Sequence, residues 1–312
     1  MDDQLKLMEI KTGGVISEGR KLCCSSRVGK FEIDAKILVY DTMAVKAVFH
    51  NIETWTNLRK SDVEKMKSIQ KSIQGKIIRG LFGLPASTPY WGMLHELGIA
   101  PIMLSLTYQK LMLYHNLINS DDERIAKKVV EAQENSGLDK CWYAEVREEA
   151  LQIGISLKKE LVKGKIKSKW KKEVKDKVWA AVEKEMESKK KESKKMRFLG
   201  KKGCDTYLKS IYNEHARKAM IIRLNMVSWV EENMGRVSFC PLCEEEKDTT
   251  EHVFSCSKMV DVNKTVTVKD LENGEKMMQV VELFDENEER RRTLLKDEIM
   301  MNFEIGRMEG TL

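Results

Sequence analysis

Apolar residues recur along this chain at three- and four-residue intervals with lysine and glutamate between them, a period that predicts helices over most of its length. Between Gly29 and about Thr56, the residues Phe31, Leu38, Val45 and Phe49 keep a helical spacing. Ser61-Asp62-Val63-Glu64 then reads as a capping box, in which the serine accepts from a free first-turn amide and the glutamate reaches back. Behind it Val63, Met66, Ile69, Ile73, Ile77 and Leu81 form one stripe, with Gly80, Gly83 and Pro85 placed to end it. A shorter helix is expected near Trp91 to Leu97. After Gly98 and Pro101, the apolar stretch Ile102 to Ile118 predicts another. Helices joined by breaks this short make a small bundle, expected over residues 28–120. Residues 1–27 are expected to be irregular, a truncated remnant.

Asp121-Asp122 is a suitable cap for the next helix, and Cys141-Trp142-Tyr143 is the expected anchor of residues 120–154 into a core. A helical linker is expected over 121–203. Tyr207, Ile211, His215, Met220, Leu224, Val227 and Val230 mark a long helix, with Asn233 and Gly235 suited to end it. A last helix is expected from about Glu275 to Arg307, within a segment spanning 204–312.

Composition narrows the class. Only 4 prolines and 7% aromatic residues in 312 argue against a β-sandwich, and 42% apolar residues in periodic order argue against disorder. The length allows two or three domains. No apolar run is long enough for a bilayer span or a signal-peptide core, which points to an intracellular protein, nuclear or cytoplasmic and not secreted. An odd count of 7 cysteines suits a reducing compartment better than a disulfide framework.

The net charge of +6 is small, but it is unevenly distributed. Lys158 to Lys202 holds 19 Lys or Arg and 7 Asp or Glu, a local net of +12. Cys240 to Leu312 holds 10 basic and 18 acidic residues, a net of −8.

One spacing carries chemistry. Cys240, Cys243, His252 and Cys256 form C-x2-C-x8-H-x3-C. Two cysteines on a tight turn approach a metal from one side, and His252 and Cys256, four apart, share a helix face. Three thiolates and an imidazole suit a structural Zn2+ with no open position, shielded by Phe239 and Phe254.

Several segments together resemble the C-terminal region of a non-LTR (LINE-type) retrotransposon reverse transcriptase. They are Glu53-Thr54-Trp55 leading into the helix from Asp62 to Arg79, Leu81-Phe82-Gly83-Leu84-Pro85-Ala86-Ser87-Thr88-Pro89, and Leu94-His95-Glu96-Leu97-Gly98-Ile99-Ala100-Pro101-Ile102. Ala216-Arg217 through Arg223 and Met226 follow, and then the knuckle with Glu251-His252-Val253-Phe254. Blocks like these occur in that order downstream of the polymerase palm, in the thumb and the linker carrying a CCHC knuckle, and the similarity spans roughly residues 14 to 300. The resemblance implies a mostly α fold: a thumb-like helical bundle, a helical linker and a small CCHC zinc knuckle. It also implies RNA or DNA as partner, either the retrotransposon transcript or a primer–template, and a separate palm-bearing polymerase chain.

The palm's own chemistry has no counterpart here. Polymerases hold two Mg2+ on carboxylates from separate strands. Asp2-Asp3 stands at the terminus with no strand before it, and Asp121-Asp122 reads as a helix entry. No catalytic residue is assigned, and the chain is expected not to be an enzyme on its own. His95 with Glu96 has no third group and reads as a helix-end feature. His215 reads as a core residue.

Two classes of function remain. As a nucleic-acid-binding module, the chain would neutralise phosphates with Lys163, Lys165, Lys167, Lys169, Lys171 and Lys172 around Trp170, with Trp170 stacking on an unpaired base. In the thumb-like region Arg59, Lys60, Lys65, Lys67, Lys71 and Lys76 would follow a backbone, or else form the solvated side of an amphipathic helix. Trp170 and Trp179 lie nine apart, half a turn out of phase, so one core face cannot take both. Whether Trp170 faces nucleic acid or the core stays open at this point. Lys189 to Lys202 also reads as a nuclear localisation patch. The other class is a non-catalytic zinc-stabilised scaffold or protein-interaction module, or a remnant with no selected function.

Overall fold

The computed structural model describes residues 2–24, 33–49, 52–54, 60–200, 208, 213–227, 239–259 and 266–308. Helices dominate them. The one β feature among these residues is an isolated antiparallel bridge between Phe239 and Lys247. No helix is long and apolar enough to cross a membrane. The chain forms two compact units, Met1–Pro85 with Gly98–Lys189, and Ala86–Leu97 with Lys190–Leu312. This division differs from boundaries at 120 and 203, because Tyr90–Leu97 joins the second unit and residues 121–189 pack with the bundle rather than forming a separate linker.

In the first unit, Asp2–Cys24 is a helix, α1, and not an irregular remnant. It lies along Lys60–Phe82 (α3) through a reciprocal contact of glycines with branched side chains. A Cβ on Gly19 would lie 2.4 Å from Leu81, and a Cβ on Gly80 would lie 2.7 Å from Ile16. Gly80 therefore sits inside α3 as a packing residue. The helix ends at Phe82, followed by Gly83 in the left-handed region.

Between them α2, Ile33–Val39, continues through a wide π turn at Tyr40–Ala44 into Val45–Val48. Ile33, Tyr40, Ala44, Val48 and Phe49 are buried while Leu38 is 61% exposed. Leu38 and the half-buried Val45 therefore lie off the buried face, which runs through Ile33, Tyr40, Ala44 and Val48, whereas Phe49 is buried as its spacing suggested; Phe31 lies outside the described residues. Gln74 of α3 bolts these parts together. Its Nε2 donates to Tyr40 Oη at 2.7 Å and to the Ala100 carbonyl at 3.0 Å, and its Oε1 accepts from the Ile102 amide at 2.8 Å. That last bond satisfies a free amide at the start of α5, Ile102–Ile118, which no side-chain cap serves.

The main core of the unit lies among α5, α6 (Ile125–Ser136), α7 (Trp142–Gln152) and α8 (Lys167–Glu192). Leu111, Tyr114, Ile118, Val130, Tyr143, Val146, Trp170, Val174 and Val178 pack there. Asp121 and Asp122 precede α6 in a turn and do not cap it, because Arg124 takes the cap position without a side-chain bond. Asp122 instead pairs with Lys127. Tyr143 is the buried anchor of the Cys141-Trp142-Tyr143 segment, and Trp142 donates to the Glu53 carbonyl at 2.8 Å. Lys110 is buried between two carboxylates of α7, Glu149 at 2.7 Å and Glu145 at 2.5 Å, with Thr107 donating to Glu149. Burial works against its charge, but Glu149 and Glu145 outweigh it and hold the Lys110 pKa above the ordinary lysine value.

In the second unit, α4 is Tyr90–Leu97, α9 is Asn213–Arg223, α10 is Val268–Asn273 and α11 is Met277–Met308. The long helix expected through Val230 stops at Arg223, where Asn225 adopts a left-handed conformation (φ 50°) and Thr250 donates to its side chain. Tyr207, Ile211, Val230, Asn233 and Gly235 lie outside the described residues. Arg223 is fully buried. Its Nε donates to Glu96 Oε1 at 3.1 Å and its Nη1 to the Leu271 carbonyl at 2.9 Å, tying α4, α9 and α10 together. Glu96 is thus half of a buried ion pair rather than a helix-end feature. Two glycines permit the closest approaches: a Cβ on Gly92 would meet Leu224 at 2.4 Å, and one on Gly200 would meet the Glu272 carbonyl at 2.3 Å.

Replacing Arg223 by Met is expected to cost about 3–5 kcal/mol, since it strands the Glu96 carboxylate in a dry site. Urea unfolding of the full chain measures this, and a loss below about 1 kcal/mol would contradict a structural role for the pair.

Candidate metal centre and basic face

The segment from Phe239 to Met259 has little apolar mass, yet it folds tightly. The Phe239–Lys247 bridge and a 2.8 Å bond from the Cys240 amide to the Glu246 carbonyl close a small loop. Inside it the Glu244 amide returns to the Cys240 carbonyl at 2.8 Å, and Glu244 takes a left-handed φ of 59° to make the turn. This turn brings Cys240 and Cys243 to the same side. Thr249 accepts from the His252 amide at 3.1 Å and starts a 3-10 turn over His252–Phe254, while Cys256 precedes a second over Ser257–Met259. His252 and Cys256 are therefore presented by a pair of tight turns and not by one α-helical face.

The four ligand atoms lie within 4.8 Å of one another. Cys240 Sγ and Cys256 Sγ are 4.0 Å apart, and Cys243 Sγ and His252 Nε2 are 3.2 Å apart. The sulfur separation is about twice a disulfide bond. It is close to the edge of about 3.8 Å that a tetrahedron of metal–sulfur bonds near 2.3 Å requires. The donor set fits a metal ion. Cys240, His252 and Cys256 are buried and Cys243 is partly exposed.

Electrostatics prepare the thiols unequally. Burial pushes the Cys243 thiol up, but amides of Glu245 and Glu246 and the contact with His252 outweigh it and bring its pKa down to about 7. Burial pushes the Cys256 thiol up to about 12.

Two residues absent from the spacing motif support the site. Glu246 Oε2 accepts from His252 Nδ1 at 2.9 Å, a contact that orients the ring with Nε2 toward Cys243. Arg291 of α11 forks onto Asp248 and brings Nη2 to 3.9 Å from Cys240 Sγ. Glu246 lay in view inside the knuckle. Arg291, 51 residues from Cys240, gave no local signal. Phe254 is half-buried and packs edge-on against Phe284 at 5.7 Å, while Phe239 is 57% exposed and does not shield the centre. Val253 and Met259 are the buried residues under the knuckle.

The basic residues fall into two groups. Lys163, Lys167, Lys169, Lys171 and Lys172 are exposed. Lys165 is turned back, its Nζ 5.0 Å from the ring centre of Trp170 and paired with Glu173. Trp170 is 1% exposed, stacks on His115 at 5.9 Å and donates to the Leu111 carbonyl at 3.2 Å, so it is a core residue and cannot take a nucleic-acid base. Its partners at four-residue steps, Val174, Val178, Val182 and Met186, are all buried, and Trp179 on the other side is half-buried. That apolar stripe was the signal in the sequence that decides between the two tryptophans. Arg59 lies outside the described residues. Lys67 is on α3, in a stretch whose side chains are not described, and Lys71 and Lys76 further along are exposed.

Comparison with protein-family models, with curated proteins and with solved structures finds no match to this chain.

Stripping metal with a chelator is expected to speed amide exchange across residues 239–259 while leaving 102–118 unchanged, and Cys243→Ser should reproduce the effect. An identical exchange profile with and without chelator sinks the metal centre. Trp170→Ala should cost about 3–5 kcal/mol in urea unfolding, as expected for a core tryptophan. A Trp170→Ala protein of unchanged stability would return Trp170 to the surface.

Proposed function

We propose that this chain is a non-catalytic, zinc-stabilised nucleic-acid-binding protein, corresponding to the thumb, linker and knuckle region of a non-LTR retrotransposon reverse transcriptase. The observation that supports this reading is the outward face of α8 and the loop before it. Trp170, Val174, Val178, Val182 and Met186 are sunk in the core, and Lys163, Lys167, Lys169, Lys171 and Lys172 stand in water on a rigid support. A helix of 26 residues is about 39 Å long, comparable to one turn of a nucleic-acid duplex. Its first turn holds no acidic residue, and its lysines add to the positive end of the helix dipole. This arrangement is locally unfavourable until an anion covers it. Phosphates satisfy it, and the counterions they release drive binding with little regard to sequence.

The metal in this reading is Zn2+, because three thiolates and an imidazole are a soft set that fills a tetrahedron and leaves no place for water. The ion supplies local folding energy and no chemistry. Asp121 and Asp122 stand in a turn before α6, and Asp2 and Asp3 open α1, positions unlike the paired strand carboxylates that polymerase chemistry uses. RNA or DNA is the expected ligand, and a palm-bearing polymerase chain is a candidate partner, in the nucleus or cytoplasm.

A second reading, a protein-interaction scaffold, draws on the rim of the knuckle. Glu244, Glu245 and Glu246 are exposed there, and that surface repels phosphate. Nucleic-acid contact is therefore assigned to α8 and not to the knuckle.

Fluorescence anisotropy with labelled RNA and single-stranded DNA separates the two. The nucleic-acid reading expects affinity that falls steeply with salt. Replacing Lys167, Lys169, Lys171 and Lys172 by Ala should flatten the log–log slope by about 0.7 for each phosphate left without its lysine. Absence of binding at low salt, or affinity that ignores ionic strength, defeats it in favour of the scaffold. Primer extension with added Mg2+ should yield no product.

A further inference from the structure

Occupying the knuckle has an electrostatic consequence. A divalent ion with three thiolates and a neutral imidazole carries a net charge of −1, in a site where Cys240 and Cys256 are 1% and 0% exposed. A buried charge of this kind needs a partner. The nearest buried cation is Arg291, on α11, with its side chain only 9% exposed. Its orientation is set by three hydrogen bonds to two partners. Nε donates to Asn287 Oδ1 at 2.7 Å, one turn earlier on the same helix. Nη1 donates to Asp248 Oδ2 at 2.8 Å, and Nη2 donates to the other oxygen of that carboxylate. The fork so fixed leaves Nη2 at 3.9 Å from Cys240 Sγ. Arg290 next to it is different: it donates to Glu286 and to the Lys258 carbonyl at a more exposed position.

We propose that Arg291 is a positioning residue of the metal centre, its guanidinium held by Asp248 so as to stabilise the Cys240 thiolate, and that metal binding is thereby coupled to the docking of α11 on the knuckle. This rests on the metal-centre reading above. The cation lowers the energy of the metal-bound thiolate and offsets the residual negative charge. The coupling is reciprocal. Metal favours the docked helix, and the docked helix favours metal by the same factor. Phe254 against Phe284 adds an apolar contact between the same two elements.

The test uses the full chain. Zn2+ affinity is measured by competition with a chromophoric chelator, and the thiolate-to-metal charge-transfer band is read after loading with Co2+. Arg291→Met should weaken Zn2+ binding about 10–100-fold. It should also move the charge-transfer band to longer wavelength, because a thiolate without its cation gives up electrons more easily. Arg291→Lys should restore part of both effects, and Arg292→Met, which removes an exposed pair with Glu288 on the same helix, should leave both unchanged. If Arg291→Met does not fold, Asp248→Asn, which loosens the guanidinium without removing it, should weaken binding and shift the band in the same sense. In the unaltered chain, chelation should raise amide exchange within residues 277–292 as well as 239–259. Wild-type affinity and an unshifted band in the variants, or exchange confined to 239–259, overturns the inference while the metal centre stands. Failure of the unaltered chain to take up Zn2+ or Co2+ overturns the metal centre itself.

Discussion

Charged groups removed from water and matched to one another join elements of this chain that are far apart in sequence. A third of the residues are charged, and among the described residues four cations, Lys110, Lys127, Arg223 and Arg291, are buried, three of which join distant elements. Lys110 of α5 meets Glu145 and Glu149 of α7, Arg223 of α9 meets Glu96 of α4, and Arg291 of α11 meets Asp248 of the knuckle. Such pairs add little net stability, because desolvation cancels most of the attraction. Their effect is on which arrangement forms. Leucine tolerates many neighbours, whereas a buried guanidinium is satisfied in one geometry, and moving it one turn would leave two unpaired charges. Small residues act with them. Gly19 and Gly80 let α1 and α3 approach, and Gly92 does the same for α4 and the end of α9.

The knuckle and α8 use charge in opposite ways. In the knuckle, three cysteines and a histidine that could hold a metal ion converge, a carboxylate orients the histidine, and an arginine sits behind Cys240 Sγ. On α8 the apolar stripe is inside, and the lysines outside include several with no acidic residue in the first turn to balance them. One arrangement gathers donor atoms that could hold a cation within the protein, and the other leaves its lysines facing solvent.

Much of this architecture was legible in the sequence. Ile102–Ile118 was placed as it occurs, and the last helix, expected from about Glu275 to Arg307, runs Met277–Met308. The four candidate metal ligands converge as their spacing suggested, although two 3-10 turns bring His252 and Cys256 together instead of an α-helix. The failures have physical causes. Gly13, Gly14 and Gly19 weaken the pattern of α1, which packing against α3 sustains. Leu38 keeps a helical spacing with Val45 and Phe49, but packing buries the face through Ile33, Tyr40, Ala44 and Val48 instead. Trp170 and Trp179 look alike locally, and only the four-residue stripe through Met186 tells them apart.

The order of apolar and charged residues by itself determined that this protein is helical, where most of its helices lie and which four side chains suit a metal, because period and spacing are local properties. Tertiary structure decided which face of each helix is buried, which tryptophan belongs to the core, and which cation meets which carboxylate. Those outcomes depend on contacts between residues 127 positions apart, as for Arg223 and Glu96, or 43 apart, as for Arg291 and Asp248. No local pattern contains them, since the energy of a buried ion depends on the dry, shaped surroundings that exist only after the helices have packed.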